Sequence, residues 1–264
     1  MTERRSEGLP WDPVVPAASF TALLRSRGLD PRWTVPAEAA ALEAPEGTTV
    51  LAFRYADGVL MAGDRRATAG NVIAHRSLQK VFPADTLSAV AISGTAGIAI
   101  ELIRLFQTEL EPYEKLEGSR LSLEGKANHL AAMVRAQLPM AFQGLAVVPV
   151  FCGFDQDSGK GRLYSYDVVG GRYEETDFTS TGSGGPYAKT HLRGAFREGL
   201  SEDEALQVAV EALLAAAEED SATGGPDLQR GIYPNVVVIS AEGYRDISEE
   251  RVAAAARRAM GEAR

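Results

Sequence analysis

The order of strand-like and helix-like runs limits the fold of this chain more than any other feature. From Thr49 onwards the runs come in blocks: strands, two helices, strands, two helices, strands and one helix. Single strands alternating with single helices would predict a doubly wound parallel sheet, whereas strand blocks followed by helix pairs predict an α+β layered domain. We therefore expect a four-layer αββα sandwich, in which two antiparallel sheets lie between helix layers.

The first strand block contains the clearest hairpin signal. Thr49–Tyr55 and Val59–Gly63 are strand-like, and Ala56-Asp57-Gly58 joins them with the Asp-Gly pair that favours tight turns. A second short hairpin is predicted within residues 71–82, and a strand over Leu87–Ser93. Two helices should follow, one around Ile98, Leu102, Leu105 and Phe106 and one over about 123–138.

The second half of the chain repeats this block pattern. A meander of four strands is predicted over Ala146–Phe154, Gly161–Val168, Gly171–Glu175 and Phe178–Thr181. Residues 181–185 are expected to form a flexible loop before a helix that reaches about Phe196. A longer helix over about 202–221, a last hairpin of Pro234–Ala241 with Tyr244–Ile247, and a helix over about 248–260 complete the chain.

Composition argues against several functional classes. The net charge of −9 disfavours binding to nucleic acid or to an anionic membrane, since both need basic surface. No run approaches the roughly 18 apolar residues of a membrane span. The single cysteine, Cys152, cannot form an intrachain disulfide, which fits a reducing, cytoplasmic compartment. The histidines (His75, His129 and His191) lack metal-ligand spacing, so no metal and no cofactor is predicted.

Residues 1–47 differ in character from the rest of the chain. They contain six prolines, which exclude a long helix, and Arg4 and Arg5 are not followed by the continuous apolar stretch of a secretory signal. A disordered tail and a detachable pro-segment fit this composition equally well. The first strand run begins abruptly at the end of this segment.

Thr48 is the candidate nucleophile at that boundary. A threonine hydroxyl needs a neighbouring base, and a free α-amino group on the same residue, with a reference pKa of about 8, can be that base. Such an amine exists only if the Gly47–Thr48 bond is cut. Gly-Thr-Thr is also common where an ordinary strand begins, so these residues alone do not decide between the two interpretations.

Six short motifs follow one another in a distinctive order. They are Gly47-Thr48-Thr49, Asp64–Thr68, Lys80-Val81-Phe82, Ser93–Gly97, Gly182-Ser183-Gly184 and Asp220–Gly224. In that order they resemble the processing site, aspartate loop, family lysine, oxyanion loop, serine turn and Asp-x-x-Ser-Gly pattern of the proteasome beta subunits, most closely the actinobacterial type. Thr223 stands where serine is usual, and it keeps the hydroxyl. The resemblance covers essentially all of residues 48–264.

The resemblance implies the N-terminal-nucleophile hydrolase fold and a threonine endopeptidase. Residues 1–47 would be a propeptide, removed by autocatalytic cleavage at Gly47-Thr48, and residues 48–264 the catalytic domain. Thr48 would attack the scissile carbonyl, while Lys80, with Asp64 as its counter-charge, would lower the pKa values of the hydroxyl and the amine. The Gly94 N–H would bind the oxyanion. The α-amine would be oriented by Ser183, Asp220 and Thr223.

The resemblance also implies a substrate preference. The pocket for the residue before the cleaved bond would be lined by Ala67, Leu78, Ile92 and Ala96. These side chains are uncharged, so the pocket should accept apolar or aromatic residues, a chymotrypsin-like preference. The backbone of Thr68 and Ala96 would pair with an extended substrate.

The implied partners are further copies of this chain and proteasome alpha subunits. Homo-heptameric beta rings would stack with alpha rings in an α7β7β7α7 barrel that degrades unfolded proteins, with an ATPase activator ring as a further candidate partner. Ile100 and Ile103 lie beside Ile98 and Leu102 around one helix, which is more apolar surface than one sheet covers.

Two alternatives stay open at this stage. One is the simpler bacterial threonine peptidase that forms smaller rings and works with a partner unfoldase. The long segment before Thr48 and the extension past Ile247 count against it. The other is a non-catalytic ring subunit of the same fold, and the presence of Gly47-Thr48 together with Asp64 and Lys80 counts against that.

Overall fold

Twelve β-strands and six α-helices follow one another within residues 47–117 and 121–261, the part of the chain that the computed structural model describes. Side chains are described throughout these ranges except at 112–117. The first block comprises β1 (Thr49–Tyr55), β2 (Gly58–Gly63), β3 (Ala67–Ala69), β4 (Val72–His75), β5 (Val81–Asp85), β6 (Ser88–Gly94), α1 (Ala96–Glu117), α2 (Leu123–Ala136) and α3 (Leu138–Ala141). The second comprises β7 (Val147–Asp155), β8 (Lys160–Tyr166), β9 (Arg172–Glu175), β10 (Phe178–Gly182), α4 (Gly185–Ala195), α5 (Glu202–Glu219), β11 (Asn235–Ser240), β12 (Gly243–Asp246) and α6 (Glu249–Ala259).

Two five-stranded sheets form the centre of the fold. The first has the order β10-β1-β2-β11-β12 and the second β5-β6-β7-β8-β9, and the pairings within both are antiparallel. The Asp-Gly turn joins β1 to β2 with Tyr55 opposite Gly58, as the sequence predicted. Strands β3 and β4 pair with each other as a separate hairpin.

Side-chain alternation along the central strands separates the core into three layers. In β1, Leu51 and Phe53 join the cluster beneath α4, α5 and α6, whereas Val50 and Ala52 face the other sheet. In β6, Val90 and Ile92 join the cluster beneath α1 and α2. These strands are apolar on both faces because both faces are covered. The described residues therefore form the predicted αββα sandwich.

Three local predictions were wrong. The short hairpin lies at residues 67–75 rather than within 71–82, because Gly70, at φ +53°, turns the chain between β3 and β4. Val81 instead opens β5 and pairs with Ala91. Phe178–Thr181 does not continue the meander, because β10 belongs to the first sheet, where it pairs with β1. The expected loop at 181–185 is only a turn at Ser183 and Gly184, between β10 and α4.

Helix α1 buries a face that only partly matches the apolar positions from which it was predicted. Its buried positions are Ala99, Leu102, Ile103, Phe106 and Leu110, which follow the helical spacing of three and four residues. Ile103 is therefore inside the fold, whereas Leu105, one of the four apolar residues from which the helix was predicted, is 49% exposed.

The predicted pro-segment, apart from Gly47, lies outside the described residues. No helix among those that are described is long and apolar enough to cross a membrane.

Candidate active site

Thr48 lies directly before β1 and is joined to Gly47 by an intact peptide bond. Its side chain is buried, and its Oγ1 donates a hydrogen bond to the Gly47 carbonyl oxygen at 2.8 Å. Gly47 has φ +105°, and a Cβ there would lie 2.6 Å from Thr68 Oγ1 and 3.0 Å from Ala222 Cβ. Only glycine fits this position without strain, because both the backbone angle and the available space exclude a side chain.

Asp64 follows β2 and is fully buried. Its Oδ1 accepts hydrogen bonds from the backbone N–H of Thr49 at 2.8 Å and from Lys80 Nζ at 2.5 Å. Its Oδ2 accepts from the backbone N–H groups of Arg66 at 2.9 Å and Gly224 at 2.8 Å. A buried carboxylate is tolerated only with such partners, and these four donors provide them.

Lys80 lies directly before β5, with its side chain buried between Asp64 and Gly47. Its Nζ donates to Asp64 Oδ1, to the Arg66 carbonyl oxygen at 2.5 Å and to the Gly47 carbonyl oxygen at 3.0 Å. An ammonium has three N–H groups, so these acceptors use all of them. Burial lowers the pKa of Lys80 from its usual 10.5, and the negative charge of Asp64 opposes that shift.

Ser183, Asp220 and Thr223 form a second group beside Thr48. The Ser183 backbone N–H donates to the Thr48 carbonyl oxygen at 3.1 Å. The hydroxyls of Ser183 and Thr223 both donate to Asp220 Oδ2, at 2.6 and 2.5 Å. Burial would raise the pKa of Asp220, but these hydrogen bonds outweigh it and hold that pKa below its usual value. Asp220 directly follows Glu219, the last residue of α5, and is the C-cap of that helix.

Gly94 lies at the end of β6, across a small cleft from Thr48. It has φ +107°, and a Cβ there would lie only 2.1 Å from the Ala146 carbonyl oxygen, so this position also requires glycine. The cleft encloses about 20 Å³, enough for about one water molecule. It is lined by Thr48, Leu78, Gln79, Lys80, Phe82, Ile92, Gly94, Ala96, Ala99, Ile100 and Ile103.

The structure thus brings the sequence-predicted nucleophile, lysine, aspartate and glycine together, with three of the four predicted pocket residues: Leu78, Ile92 and Ala96. Ala67 and Thr68 are not part of the cleft lining. Ala67 is buried in β3, and Thr68 lies beside Gly47.

Comparison with known proteins identifies the family. The family model described as "Proteasome subunit" matches residues 44–227, a range that includes every motif from Gly47 to Gly224. The chain belongs to the proteasome family, as a bacterial beta subunit. The proteasome subunit beta of Streptomyces griseus is 54% identical over 224 residues, which is 85% of this chain and 80% of the relative. The subunits of Acidothermus cellulolyticus (54% over 237 residues; 88% and 82%) and Acidimicrobium ferrooxidans (52% over 240 residues; 90% and 87%) are similar to the same extent.

Membership in the proteasome family makes the chain a hydrolase of peptide bonds and a subunit of a proteasome core particle. It also confirms the sandwich as the N-terminal-nucleophile hydrolase fold. The three relatives are named as proteasome beta subunits, which favours this class over the smaller-ring bacterial peptidase.

Several groups in this proteasome site were missed by sequence reasoning. The Arg66 carbonyl and the N–H groups of Arg66, Gly224 and Thr49 contact Lys80 or Asp64 through backbone atoms. Every residue has such atoms, so no residue type signals them. Among the described residues, no group of three or more His, Cys, Asp or Glu side chains could hold a metal ion. Cys152 is buried, which raises the pKa of its thiol and disfavours a role as a nucleophile.

Proposed function

We propose that this chain is the catalytic beta subunit of a bacterial proteasome core particle, an N-terminal threonine endopeptidase that frees its own nucleophile. One observation carries the proposal. The Gly47 carbonyl oxygen accepts hydrogen bonds from both Thr48 Oγ1 and Lys80 Nζ. The nucleophile and a cation that can stabilise an oxyanion therefore meet at the peptide bond whose cleavage would expose the Thr48 amine.

The first reaction in this proposal removes residues 1–47. Thr48 Oγ1 attacks the Gly47 carbonyl carbon, and Lys80 stabilises the negative charge that develops on the carbonyl oxygen. The Gly47–Thr48 C–N bond then breaks, the hydroxyl proton is transferred to the Thr48 nitrogen, and an ester joins the Gly47 acyl group to Oγ1. Water hydrolyses the ester, which releases the propeptide as a carboxylic acid and leaves Thr48 with a free hydroxyl and amine.

Release of the propeptide changes the surroundings of Lys80. The Gly47 oxygen leaves, while Asp64 Oδ1 and the Arg66 carbonyl remain, so one ammonium N–H becomes available beside Thr48. A cation there favours the ionised hydroxyl and disfavours the protonated amine, which lowers both pKa values. This is the activation that a threonine nucleophile needs at neutral pH.

The second reaction cleaves substrate peptides at the same atoms. Oγ1 attacks the substrate carbonyl while the α-amine takes its proton, and the Gly94 N–H would stabilise the oxyanion. The departing amine receives the proton, and water then hydrolyses the acyl-enzyme ester. Ser183, Asp220 and Thr223 would orient the α-amine. Their proximity to Thr48 favours a catalytic subunit over a non-catalytic ring subunit of the same fold.

The proposed preference is for apolar or aromatic residues before the cleaved bond. Leu78, Ile92 and Ala96 support it because they give the cleft an apolar lining beside Thr48. With space for about one water, the cleft has to widen before a large side chain can enter. Thr68, adjacent to Gly47, is proposed to pair with the substrate backbone on the propeptide side.

The assembly proposed is the α7β7β7α7 barrel, with seven copies of this chain in each beta ring, proteasome alpha subunits in the outer rings and an ATPase ring as a further partner. Leu105 on α1 is exposed, and an exposed large apolar side chain supports the proposal that a neighbouring subunit covers this helix. Unfolded proteins are the proposed substrates. A cytoplasmic setting is proposed because a single buried cysteine suits a reducing compartment.

Substitution of Thr48 tests the mechanism. In the full chain co-expressed with an alpha subunit, Thr48→Ala should keep residues 1–47 and lack peptidase activity, because the nucleophile is gone. Thr48→Ser keeps a hydroxyl and should still release the segment, more slowly. Intact mass and N-terminal sequencing report cleavage, and fluorogenic peptides report activity. Cleavage at Gly47-Thr48 in purified Thr48→Ala protein, or peptidase activity in it, would refute the mechanism.

A further inference from the structure

We propose that Thr49 is a positioning residue that connects the two halves of the site, a role that rests on the function proposed above. Thr49 is fully buried at the start of β1. Its N–H donates to Asp64 Oδ1 at 2.8 Å, and its carbonyl oxygen accepts from the Asp64 N–H at 3.0 Å. Its backbone thus fixes the half of the site that contains Asp64 and Lys80.

The side chain of Thr49 reaches the other half. Its Oγ1 lies 2.6 Å from Thr223 Oγ1 and accepts a hydrogen bond from the Gly184 N–H at 3.0 Å. Thr223 Oγ1 in turn lies 2.5 Å from Asp220 Oδ2. One buried residue therefore contacts both the counter-ion of the lysine and the group proposed to orient the α-amine.

The hydrogen bonds that run from Gly184 through Thr49 and Thr223 to Asp220 have directions that are set by the two end groups. Asp220 is held ionised by a lowered pKa, and a carboxylate only accepts, so Thr223 must donate its hydroxyl proton to it. Thr223 has no second proton, so at 2.6 Å Thr49 must be the donor to Thr223. The Gly184 N–H can only donate, and it takes a lone pair of Thr49. One lone pair of Thr223 then remains, which would accept an N–H from the Thr48 amine once cleavage frees that amine.

There is no free space around the hydroxyls of Thr49 and Thr223. A Cβ at Gly184 would lie 2.4 Å from Thr223 Oγ1 and 2.5 Å from Thr49 Oγ1. Thr223 is itself fully buried, so no bulk water replaces a lost partner there. The hydroxyl of Thr49 thus fixes the rotamer of Thr223 together with Asp220 and, through it, the direction of the remaining lone pair.

Thr49→Val removes the hydroxyl and retains the branched shape. For processed subunits we expect kcat to fall about five- to tenfold, the value of about one neutral hydrogen bond, with KM little changed. Loss of the Thr49 donor makes Thr223 Oγ1 a stronger acceptor for the protonated amine, so the acid limb of the kcat pH profile should move to higher pH. Thr49→Ser restores the donor and should restore both.

The control and the double variant separate positioning from packing. Thr179, a buried threonine on the neighbouring strand β10, gives the matched variant Thr179→Val, which should leave kcat and the pH profile unchanged. Thr49→Val/Thr223→Val should be no slower than Thr223→Val alone, because Thr49 acts through Thr223. Should Thr49→Val fail to assemble, Thr49→Ala against Thr179→Ala gives the same comparison without a second methyl group.

Three outcomes would overturn the role of Thr49. Losses that multiply in the double variant would show that Thr49 does not act through Thr223. A lower kcat with an unmoved acid limb, or no change at all in Thr49→Val, would show that Thr49 contributes only to packing. The proposed function would still stand in that case, provided that Thr48→Ala is inactive. Activity in Thr48→Ala would instead refute the proposed function itself, so the two failures are distinguishable.

Discussion

Gly47 offers a perturbation that should affect the proposed maturation alone, because this residue would leave with the propeptide. Gly47→Ala places a side chain at φ +105°, with its Cβ 2.6 Å from Thr68 Oγ1 and 3.0 Å from Ala222 Cβ. A non-glycine residue in this backbone region costs about 1–3 kcal/mol. Because the chain must hold this geometry to keep the Gly47 carbonyl against Thr48 and Lys80, propeptide release should slow by roughly ten- to a hundredfold.

The assay follows the precursor mass over time in assembled particles, together with peptidase activity per free Thr48 N-terminus. Activity per processed subunit should equal that of the wild type, since the mature chains are identical. Gly199→Ala is the control: Gly199 also has positive φ, +78°, but a Cβ there meets no atom within 4 Å. It should leave propeptide release unchanged. Propeptide release at the wild-type rate in Gly47→Ala would refute the argument that the conformation of Gly47 presents the bond for attack.

Two further predictions concern Lys80 and Ile92. Burial lowers the pKa of Lys80 from its usual 10.5, so its ammonium is lost, and propeptide release should slow, as pH rises through a value below 10.5. Rates that hold constant up to pH 10.5, with the fold monitored by circular dichroism, would contradict a catalytic cation. Ile92→Glu places a carboxylate in the apolar cleft beside Thr48. Cleavage after aromatic residues should fall sharply, while cleavage after basic residues holds or rises; an unchanged peptide preference in assembled particles would show that the pocket lies elsewhere.

The strand and helix blocks could be predicted because they depend on local patterns. The Asp-Gly turn determines which residues of β1 and β2 lie opposite each other, and apolar periodicity marks α5. The partner of β10 could not be predicted in the same way. Its pairing with β1 joins residues about 130 positions apart, such as Leu51 and Ser180, and no local pattern specifies such a register.

The candidate site was predictable where its chemistry lies in side chains. Thr48, Asp64 and Lys80 carry a hydroxyl, a carboxylate and an amine in an order that resembles the family, and the structure brings them together. Thr49 was noted only as part of the processing motif, because a second threonine at the start of a strand is an ordinary residue by pattern. Its importance comes from Thr223, 174 positions away, whose hydroxyl lies 2.6 Å from its own.

Both halves of the site are assembled before the amine that they are proposed to orient exists. Asp220 already accepts the hydroxyl protons of Ser183 and Thr223, and Asp64 already holds Lys80 against the intact peptide bond. Groups fixed in advance do not have to reorganise when charge develops, which is how electrostatic stabilisation lowers a barrier most effectively. The proposed propeptide release would then change only one contact of Lys80, the one to Gly47. Because so few contacts change, a single set of side chains could serve self-cleavage first and substrate cleavage afterwards.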